Sequence, residues 1–195
     1  AYNVMTTRER PGEDSYSARG KWSIVAEPSR RDRQQITYYT GEENNKLDKI
    51  EQWRWLNTRR EILVLTGTGR DDCVWEPPVI DLQLPAKAGA TWAGTSTCTA
   101  DRSTKTTVGS TYRASWGEPF IATVAGRGKQ TVWPLHRVTE MNITSTSYAF
   151  RTLLTEEVDY LPGFVIPLRW IEKQESFQAG VKASTDTSRR DLITR

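Results

Sequence analysis

Residues 73–98 decide the fold, and they read CVWEPPVIDLQLPAKAGATWAGTSTC. The stretch holds both cysteines of the chain, two of its eight tryptophans and three of its nine prolines. Proline has no N–H to donate and does not occupy central strands, so these prolines predict an irregular segment. Gly89 permits a tight turn into a strand that begins at Ala90. The stretch is therefore predicted to be a crossover that carries the chain from one part of a sheet to another.

The segments on both sides of this stretch alternate between apolar and polar residues, as strands with one buried face do. Trp22 and Ile24 share one face of such a segment, and Ile36 and Tyr38 share one face of the next. The many threonines and aromatic residues suit a pleated, half-buried surface better than a helix. The pattern predicts an all-β protein, either a strongly curved antiparallel sheet or an open (half) β-barrel of about ten strands.

One stretch, Leu47–Leu56, fits either a helix or a strand. Two of its apolar residues have helical spacing, whereas Trp53 and Trp55 share a face only in a strand. The apolar run that follows, Arg60–Thr66, offers a partner for a strand. The strand is therefore the favoured interpretation.

The chain length suits a single domain with its own hydrophobic core. Residues 1–175 carry all the predicted strands and are expected to form one β domain. Residues 176–195 are polar and basic. They are predicted to form a loose tail or one short helix outside that domain.

The charges of the chain are nearly balanced, with 27 basic and 24 acidic residues and a formal net charge of +3. A nucleic-acid-binding domain usually carries a clustered basic face, so we expect no nucleic-acid partner. No run of eighteen apolar residues occurs, so no transmembrane segment is predicted.

The two cysteines could form a disulfide, belong to a metal site, or remain as unrelated buried thiols. A zinc site needs four ligands, and the chain has a single histidine, so a metal site is the weakest of these interpretations. A disulfide between Cys73 and Cys98 would stabilise the fold by roughly 3 kcal/mol through the closed loop. We favour the disulfide, which indicates an oxidising, extracytoplasmic compartment, and keep free buried thiols as the alternative.

The layout around the cysteines resembles a group of secreted or envelope-associated actinobacterial β-rich proteins of unknown function. The resemblance rests on an early strand, a Cys-x-Trp-x-Pro-Pro segment, a Leu-Pro-x-x-x-Gly-x-x-Trp turn, a second cysteine and a Leu-Pro-Gly turn. In this chain those features are Tyr2–Thr6, Cys73–Pro78, Leu84–Trp92, Cys98 and Leu161–Gly163. The resemblance implies an exported protein built on a curved open β-barrel, distantly similar to periplasmic lipoprotein carriers. Residues after Lys173 lie outside the shared pattern.

No catalytic constellation stands out in the sequence. His136 is the only histidine, so a general base or a Ser-His-Asp arrangement would have to use it. Alternation places it with Val132 and Val138 on one face, which favours a half-buried strand histidine. Adjacent carboxylates point to opposite faces of a strand, as in Glu42–Glu43, Asp71–Asp72 and Glu156–Glu157. We therefore predict a protein that is not an enzyme, with no catalytic residue, no metal and no cofactor.

The aromatic residues offer the best candidates for a binding surface. Core packing explains most tryptophans, because each ring buries a large apolar area. Stripes of aromatic and apolar residues on one face could instead line a groove for an acyl chain or stack on a sugar ring. The candidates are Trp53, Trp55, Trp133, Leu135, Tyr148, Phe150 and Trp170.

Two functions fit these features. The first is a non-catalytic exported or cell-envelope protein that binds an apolar or lipid-like ligand, or an envelope protein partner, on its curved sheet. It predicts a concave face lined by Trp, Leu, Val and Phe, with few buried charges. The alternative is a cell-wall carbohydrate-binding module, which predicts exposed, roughly coplanar aromatic rings flanked by Asn, Asp or Arg.

Overall fold

The computed structural model describes residues 2–27, 30–43, 46–55, 59–66, 73–101, 106–163 and 167–193. All regular structure in these residues is β-strand. The thirteen strands are β1 (Tyr2–Glu9), β2 (Tyr16–Glu27), β3 (Arg30–Glu43), β4 (Lys46–Trp55), β5 (Arg59–Thr66), β6 (Cys73–Gln83), β7 (Thr91–Asp101), β8 (Thr106–Trp116), β9 (Phe120–Val124), β10 (Gly128–Thr144), β11 (Ala149–Tyr160), β12 (Pro167–Gln178) and β13 (Val181–Ile193). The prediction of an all-β fold is confirmed, although the strands outnumber the ten expected.

The strands form one antiparallel sheet in the order β11-β12-β13-β1-β2-β3-β4-β5-β6-β7-β8-β10-β9. Most neighbours in the sheet are also neighbours in the chain, so short turns connect them. Strand β10, near one end of this order, pairs with β8 and also with β11, the strand at the other end. The two ends therefore meet, and the sheet curves strongly round on itself. The ladder is open at the β6–β7 seam, where Glu76 and Thr97 form the single residue pair. The structure is therefore a strongly curved, open sheet.

Strand β8 explains why the sheet curves around a core. Its even-numbered side chains from Thr106 to Trp116 are mostly buried, while most of the odd-numbered ones are exposed. Such alternation is typical of an antiparallel sheet with one packed face and one face in water. The packed, concave face holds a main cluster of buried residues, namely Ile80, Leu82, Trp92, Tyr112, Ala114, Trp116, Leu135, Val158, Tyr160 and Trp170. Trp116 lies at its centre, with ring contacts to Trp92, Trp133 and Tyr160.

The prediction of a crossover in residues 73–98 is wrong. The stretch forms β6 and β7, two neighbouring strands joined by the turn after Gln83, and Pro77 and Pro78 lie inside β6. Strand β6 tolerates these prolines because its ladder with β7 is almost absent, so few of its N–H groups are needed there. Proline did mark an irregularity, but the irregularity is the seam rather than a crossover.

Side chains take over hydrogen bonding at the seam. The backbone N–H of Ile80 donates to the hydroxyl of Tyr112 at 3.0 Å, and the Ile80 carbonyl accepts from the indole of Trp92 at 3.2 Å. The indole of Trp116 donates to the carbonyl of Gln83 at 2.8 Å. A buried backbone group without a hydrogen bond costs free energy. These three hydrogen bonds to aromatic side chains therefore replace part of the missing ladder.

The prediction of a loose tail or short helix after residue 176 is also wrong. Strand β12 continues to Gln178, and β13 then pairs with both β12 and β1. Polar composition misled the interpretation, because a strand inside a sheet is held mainly by backbone pairing on both sides. Charged side chains add to it, as where Asp186 pairs with Arg8 and with Arg10.

No helix in the described ranges is long and apolar enough to cross a membrane.

Candidate binding site

The cysteines form a disulfide between β6 and β7, as favoured from the sequence. Their Cα atoms are 5.5 Å apart, and neither cysteine is a free thiol. The bond joins the two strands three residues before Glu76, at the end of the seam that is farther from the Trp116 cluster. A covalent link therefore fastens the part of the sheet where hydrogen bonding between strands is sparsest.

An apolar cluster surrounds the disulfide. Trp75 and Val108 are buried with the two cysteines, and Met141 and Ile143 are half-buried against them. The cross-strand register continues this row, because Cys98 lies opposite Val108 and Val108 opposite Ile143. Directly opposed residues of neighbouring strands share a face. The row therefore lies on the concave face, at the end of the sheet that carries the disulfide.

Aromatic residues extend this apolar row to the tips of two hairpins. Phe150 lies opposite Ile143 on one side and Gln178 on the other. Tyr148 stacks on Phe150 with ring centroids 6.1 Å apart and planes inclined by 26°, and 44% of Tyr148 is exposed. Val181, opposite Gln178 across the next turn, is 70% exposed. We call the whole set the apolar mouth: Met141, Ile143, Tyr148, Phe150 and Val181.

The turn that carries Tyr148 is fixed by its own hydrogen bonds. The Ser145 hydroxyl accepts from the backbone N–H of Ser147 at 3.2 Å and of Tyr148 at 3.1 Å. The backbone N–H of Ser145 donates to the Tyr148 carbonyl at 2.9 Å. Serine commonly closes turns in this way. The local sequence therefore holds the Tyr148 backbone in one conformation, which lowers the ordering cost of any contact that the ring makes.

A buried charged cluster lies deeper on the concave face. The Arg137 guanidinium donates to both carboxylate oxygens of Glu156, at 2.5 Å from Nε and 2.8 Å from Nη2. Its Nη1 donates to Asp81 at 2.7 Å. Burial by itself lowers the pKa of Arg137, but the charges and hydrogen bonds of Glu156 and Asp81 outweigh burial and raise that pKa well above its usual value. The guanidinium is thus permanently charged, and both carboxylates are bound to it.

Glu172 and Arg190 continue this charged cluster along the sheet. Glu172 lies opposite Glu156, and its carboxylate is 3.6 Å from Arg190. Burial raises the pKa of Glu172, the charge of Arg190 opposes that rise, and Glu156 adds to it. The Arg190 guanidinium also lies 4.8 Å above the ring of Trp170. The expectation of few buried charges on the concave face is therefore wrong.

The charged cluster does not form a catalytic site with the single histidine. His136 is exposed on β10 between the buried Leu135 and Arg137, so it lies on the convex face. The expected sharing of a face with Val132 fails, because Val132 is fully buried and the alternation of β10 shifts between Val132 and Leu135. In the described ranges, no three His, Cys, Asp or Glu side chains are grouped so that they could hold a metal ion.

The structure separates the seven candidate residues into groups. Leu135 and Trp170 are buried in the Trp116 cluster, and Trp133 is half-buried against it with its ring edge-on to Trp116. Tyr148 and Phe150 come together in the apolar mouth. Trp53 and Trp55 lie in β4, and their side chains are outside the described part of the structure.

Sequence reasoning missed Met141, Ile143 and Val181 in the mouth, and it missed the charged cluster. A usable signal existed for the cluster, because Arg137 and Glu156 occur at the same period-two positions as the buried Leu135 and Val158. Charged residues at inward positions indicate that each has a partner of opposite charge. Asp81 could not be found in this way, because the alternation of β6 breaks where Ile80, Asp81 and Leu82 are all buried.

Comparison with known proteins gives no match. No protein-family model fits the chain, no curated protein has significant sequence similarity, and no solved structure has significant similarity to the fold.

Proposed function

We propose that this is a non-catalytic extracytoplasmic protein that binds a small apolar or lipid-like group at the apolar mouth. The observation that carries the proposal is the continuous row from the disulfide cluster to Tyr148. Ile143 and Phe150 are only half-buried there, and Tyr148 is exposed. Large apolar side chains that stay accessible on a concave face are typical of ligand-binding sites.

The charged cluster limits how deep the ligand can reach. Ile143 and Met141 are two residues apart on β10, which corresponds to about 7 Å along the strand. Arg137 is four residues beyond Met141, or about 13 Å further. Displacing the partners of a buried charge would cost free energy, so we expect a bound apolar chain to end before it reaches Arg137. The site therefore suits the end of an acyl chain or a single ring, rather than a whole long-chain lipid.

The disulfide supports the proposed compartment. Buried disulfides form and persist in secreted and envelope proteins, where the environment is oxidising. The Cys73–Cys98 bond supports the same placement for this protein. A ligand or partner from the cell envelope would meet the mouth in that compartment.

The alternative function, a carbohydrate-binding module, has one observation in its favour. Tyr148 presents an exposed ring on a fixed turn, and a sugar ring can stack on such a surface. Its neighbour Arg151 is already engaged, since it pairs with Glu140 and lies 5.1 Å above the ring of Phe177. A single exposed ring whose neighbouring arginine is already engaged supports this function less well than it supports apolar binding.

The test is a fluorescence titration with N-phenyl-1-naphthylamine, an uncharged apolar fluorophore, followed by displacement with medium-chain fatty acids. Covering about 60 Å² of the Tyr148 ring would contribute about 1.5 kcal/mol, so Tyr148→Ser should weaken binding about tenfold. Phe150→Ser should weaken binding further. The matched control is Phe120→Ser, which removes a ring of nearly equal exposure, 43%, at the other end of the sheet.

Two results would count against the proposal. Equal binding by the wild type and by Tyr148→Ser and Phe150→Ser would remove the mouth as the site. Failure of both the fluorophore and the fatty acids to bind, together with a Tyr148-dependent fluorescence change on adding a chito-oligosaccharide, would favour the carbohydrate-binding function.

A further inference from the structure

Strand β9 lies at the end of the sheet, beyond the region that closes around the core. Strand β9 begins at Phe120, four residues after Trp116, the last residue of β8. On β10, Trp116 pairs with Leu135, and Phe120 pairs with Val132, three residues earlier in the chain. Strand β9 therefore continues the line of β8 along β10. Within the described residues it pairs with β10 alone, so its other edge offers unpaired backbone donors and acceptors.

This edge lacks most of the features that usually prevent strands from associating. Natural edge strands are blunted by charged side chains, prolines or bulges, because unpaired backbone groups attract other strands. The residues of β9 are Phe, Ile, Ala, Thr and Val, and their register with β10 is regular throughout. The shortness of the strand and Pro119, which directly precedes it, are what protect the edge. Phe120 is 43% exposed and Ile121 is 64% exposed, so apolar side chains accompany the open edge.

The strand is held firmly on the body of the protein. Val124 and Val132, on the two strands of the hairpin, are buried together with Leu161. Ala122 and Leu192 pack against the same cluster. The free edge is therefore presented in an extended conformation, and a strand that docks there need not first order it.

We propose that β9 pairs with β9 of a second copy of this chain, antiparallel, to join the two sheets. Pairing about Ala122 sets Phe120 opposite Val124 of the second copy and Ile121 opposite Thr123. All of these side chains are uncharged, so nothing in the strand repels its own copy. A two-fold axis through Ala122 makes the contact self-complementary, as closed dimers require.

The charges that flank β9 favour the same occupant. Glu118 precedes the strand, Arg127 follows it in the hairpin turn, and Lys129 lies at the start of β10; all three are exposed. Antiparallel pairing about Ala122 brings residue 118 opposite residue 126 of the second copy, next to Arg127. The two-fold axis repeats this contact, so two Glu118–Arg127 pairs flank the joined strands. Parallel pairing would instead place like charges together.

The interface is small, which sets the expected strength. Stable protein interfaces bury about 1,200–2,000 Å², and the edges of two five-residue strands supply only part of that area. The dimer should therefore form at high protein concentration and dissociate on dilution. The apolar mouth lies at the opposite end of the sheet, so this association is independent of the proposed binding function.

The test is sedimentation velocity over a wide range of protein concentration. The wild type should shift towards a dimer as concentration rises. Ile121→Lys should abolish this shift, because it puts two lysines near the two-fold axis and blunts the edge. Glu118→Arg and Arg127→Glu should each weaken association about fivefold, since each turns two attractive pairs into repulsive ones. The double variant with both changes should recover wild-type association.

Tyr148→Ser is the control, because it removes an exposed ring far from β9 and should leave sedimentation unchanged. The four substituted side chains are all exposed, so the variants should fold, and circular dichroism checks this. A wild type that stays monomeric at every concentration would overturn the proposal. So would a dimer that is insensitive to Ile121→Lys and to the charge exchanges.

Discussion

Arg137 and Glu156 form a two-pronged ion pair between directly opposed residues of β10 and β11. Both side chains are buried, and Asp81 completes the arrangement from β6. The Asp81 contact is notable because it reaches across the seam region, where strand pairing is sparse. The charged cluster thus links three strands that the backbone ladder connects only in part.

We expect Arg137→Met to destabilise the protein by about 3–5 kcal/mol, because it removes the buried guanidinium that Glu156 and Asp81 both bind. Urea unfolding at neutral pH measures the change in the free energy of unfolding. The matched control is Arg151→Met, which breaks the exposed pair with Glu140 and should cost less than about 1 kcal/mol. Similar losses of unfolding free energy in the two variants would mean that the buried Arg137 pair stabilises the fold no more than the exposed Arg151 pair does.

Removing the disulfide should also destabilise the fold. A loop of 25 residues gives about 3.5 kcal/mol in the chain-entropy treatment. The double variant Cys73→Ala/Cys98→Ala should lose about this amount in urea unfolding. Reduced wild-type protein keeps both sulfur atoms and separates the effect of the covalent link from that of packing. If the reduced protein is as stable as the oxidised one, the seam does not depend on the link.

Gly94→Ala should weaken the seam through Tyr112. A Cβ atom at residue 94 would lie 2.5 Å from the Tyr112 hydroxyl and 2.7 Å from its Cζ, so the ring would have to move. That movement disturbs the hydrogen bond from the Ile80 N–H. The expected cost is about 1–3 kcal/mol. Gly109→Ala is the control, since the nearest atom to its added Cβ is the Asn142 carbonyl oxygen at 3.9 Å. Equal effects at the two glycines would contradict the steric explanation.

Glu172→Gln should change the pH dependence of stability. Burial raises the pKa of Glu172 in the folded protein, so the folded state binds the proton more tightly than the unfolded state does. Stability then falls as the pH rises from the unfolded value, near 4.5, through the folded one. The variant lacks this loss, so its stability relative to the wild type should increase between pH 4 and pH 7. Water reaches 23% of the Glu172 side chain, so the increase should be modest.

Glu175→Gln provides the comparison of opposite sign. A hydrogen bond from Lys182 lowers the pKa of Glu175, so its ionised form stabilises the fold above the unfolded pKa. That contribution is complete above the unfolded value, near 4.5, and is lost as the pH falls through the lower folded pKa. The variant should therefore be less stable than the wild type at neutral pH, and the difference should shrink as the pH falls below about 5. Urea unfolding of all three proteins at constant ionic strength measures both trends. Parallel trends in the two variants would contradict the assignment for Glu172.

Local pattern was enough to identify most strands. The alternation in β8 and β11 is visible directly in the sequence, and the partnership of β4 with β5 was correctly predicted. The hairpin between β9 and β10 was also predictable, because glycine readily adopts the positive φ angles that a tight turn needs. Gly126 and Gly128 do adopt positive φ angles there. Where alternation is regular, the sequence of one strand is enough to tell its buried face from its exposed face.

The errors occurred where pairing, rather than composition, determines structure. Strand β13 is polar, yet two neighbouring strands hold its backbone. Pro77 and Pro78 lie in a strand because the seam beside them needs few donors. His136 lies on the outer face because the alternation of β10 shifts after Val132. Each of these outcomes depends on a neighbour that is distant in the sequence.

By itself, the sequence determined the antiparallel all-β class and favoured the pairing of Cys73 with Cys98. The class follows from period-two alternation, and the pairing was favoured because the chain has only two cysteines and a single histidine. Only the tertiary structure decided that Arg137, Glu156 and Asp81 meet, and that Phe150 and Tyr148 extend the disulfide cluster. Those contacts depend on register between strands, and register is set by the whole curved sheet rather than by any one segment.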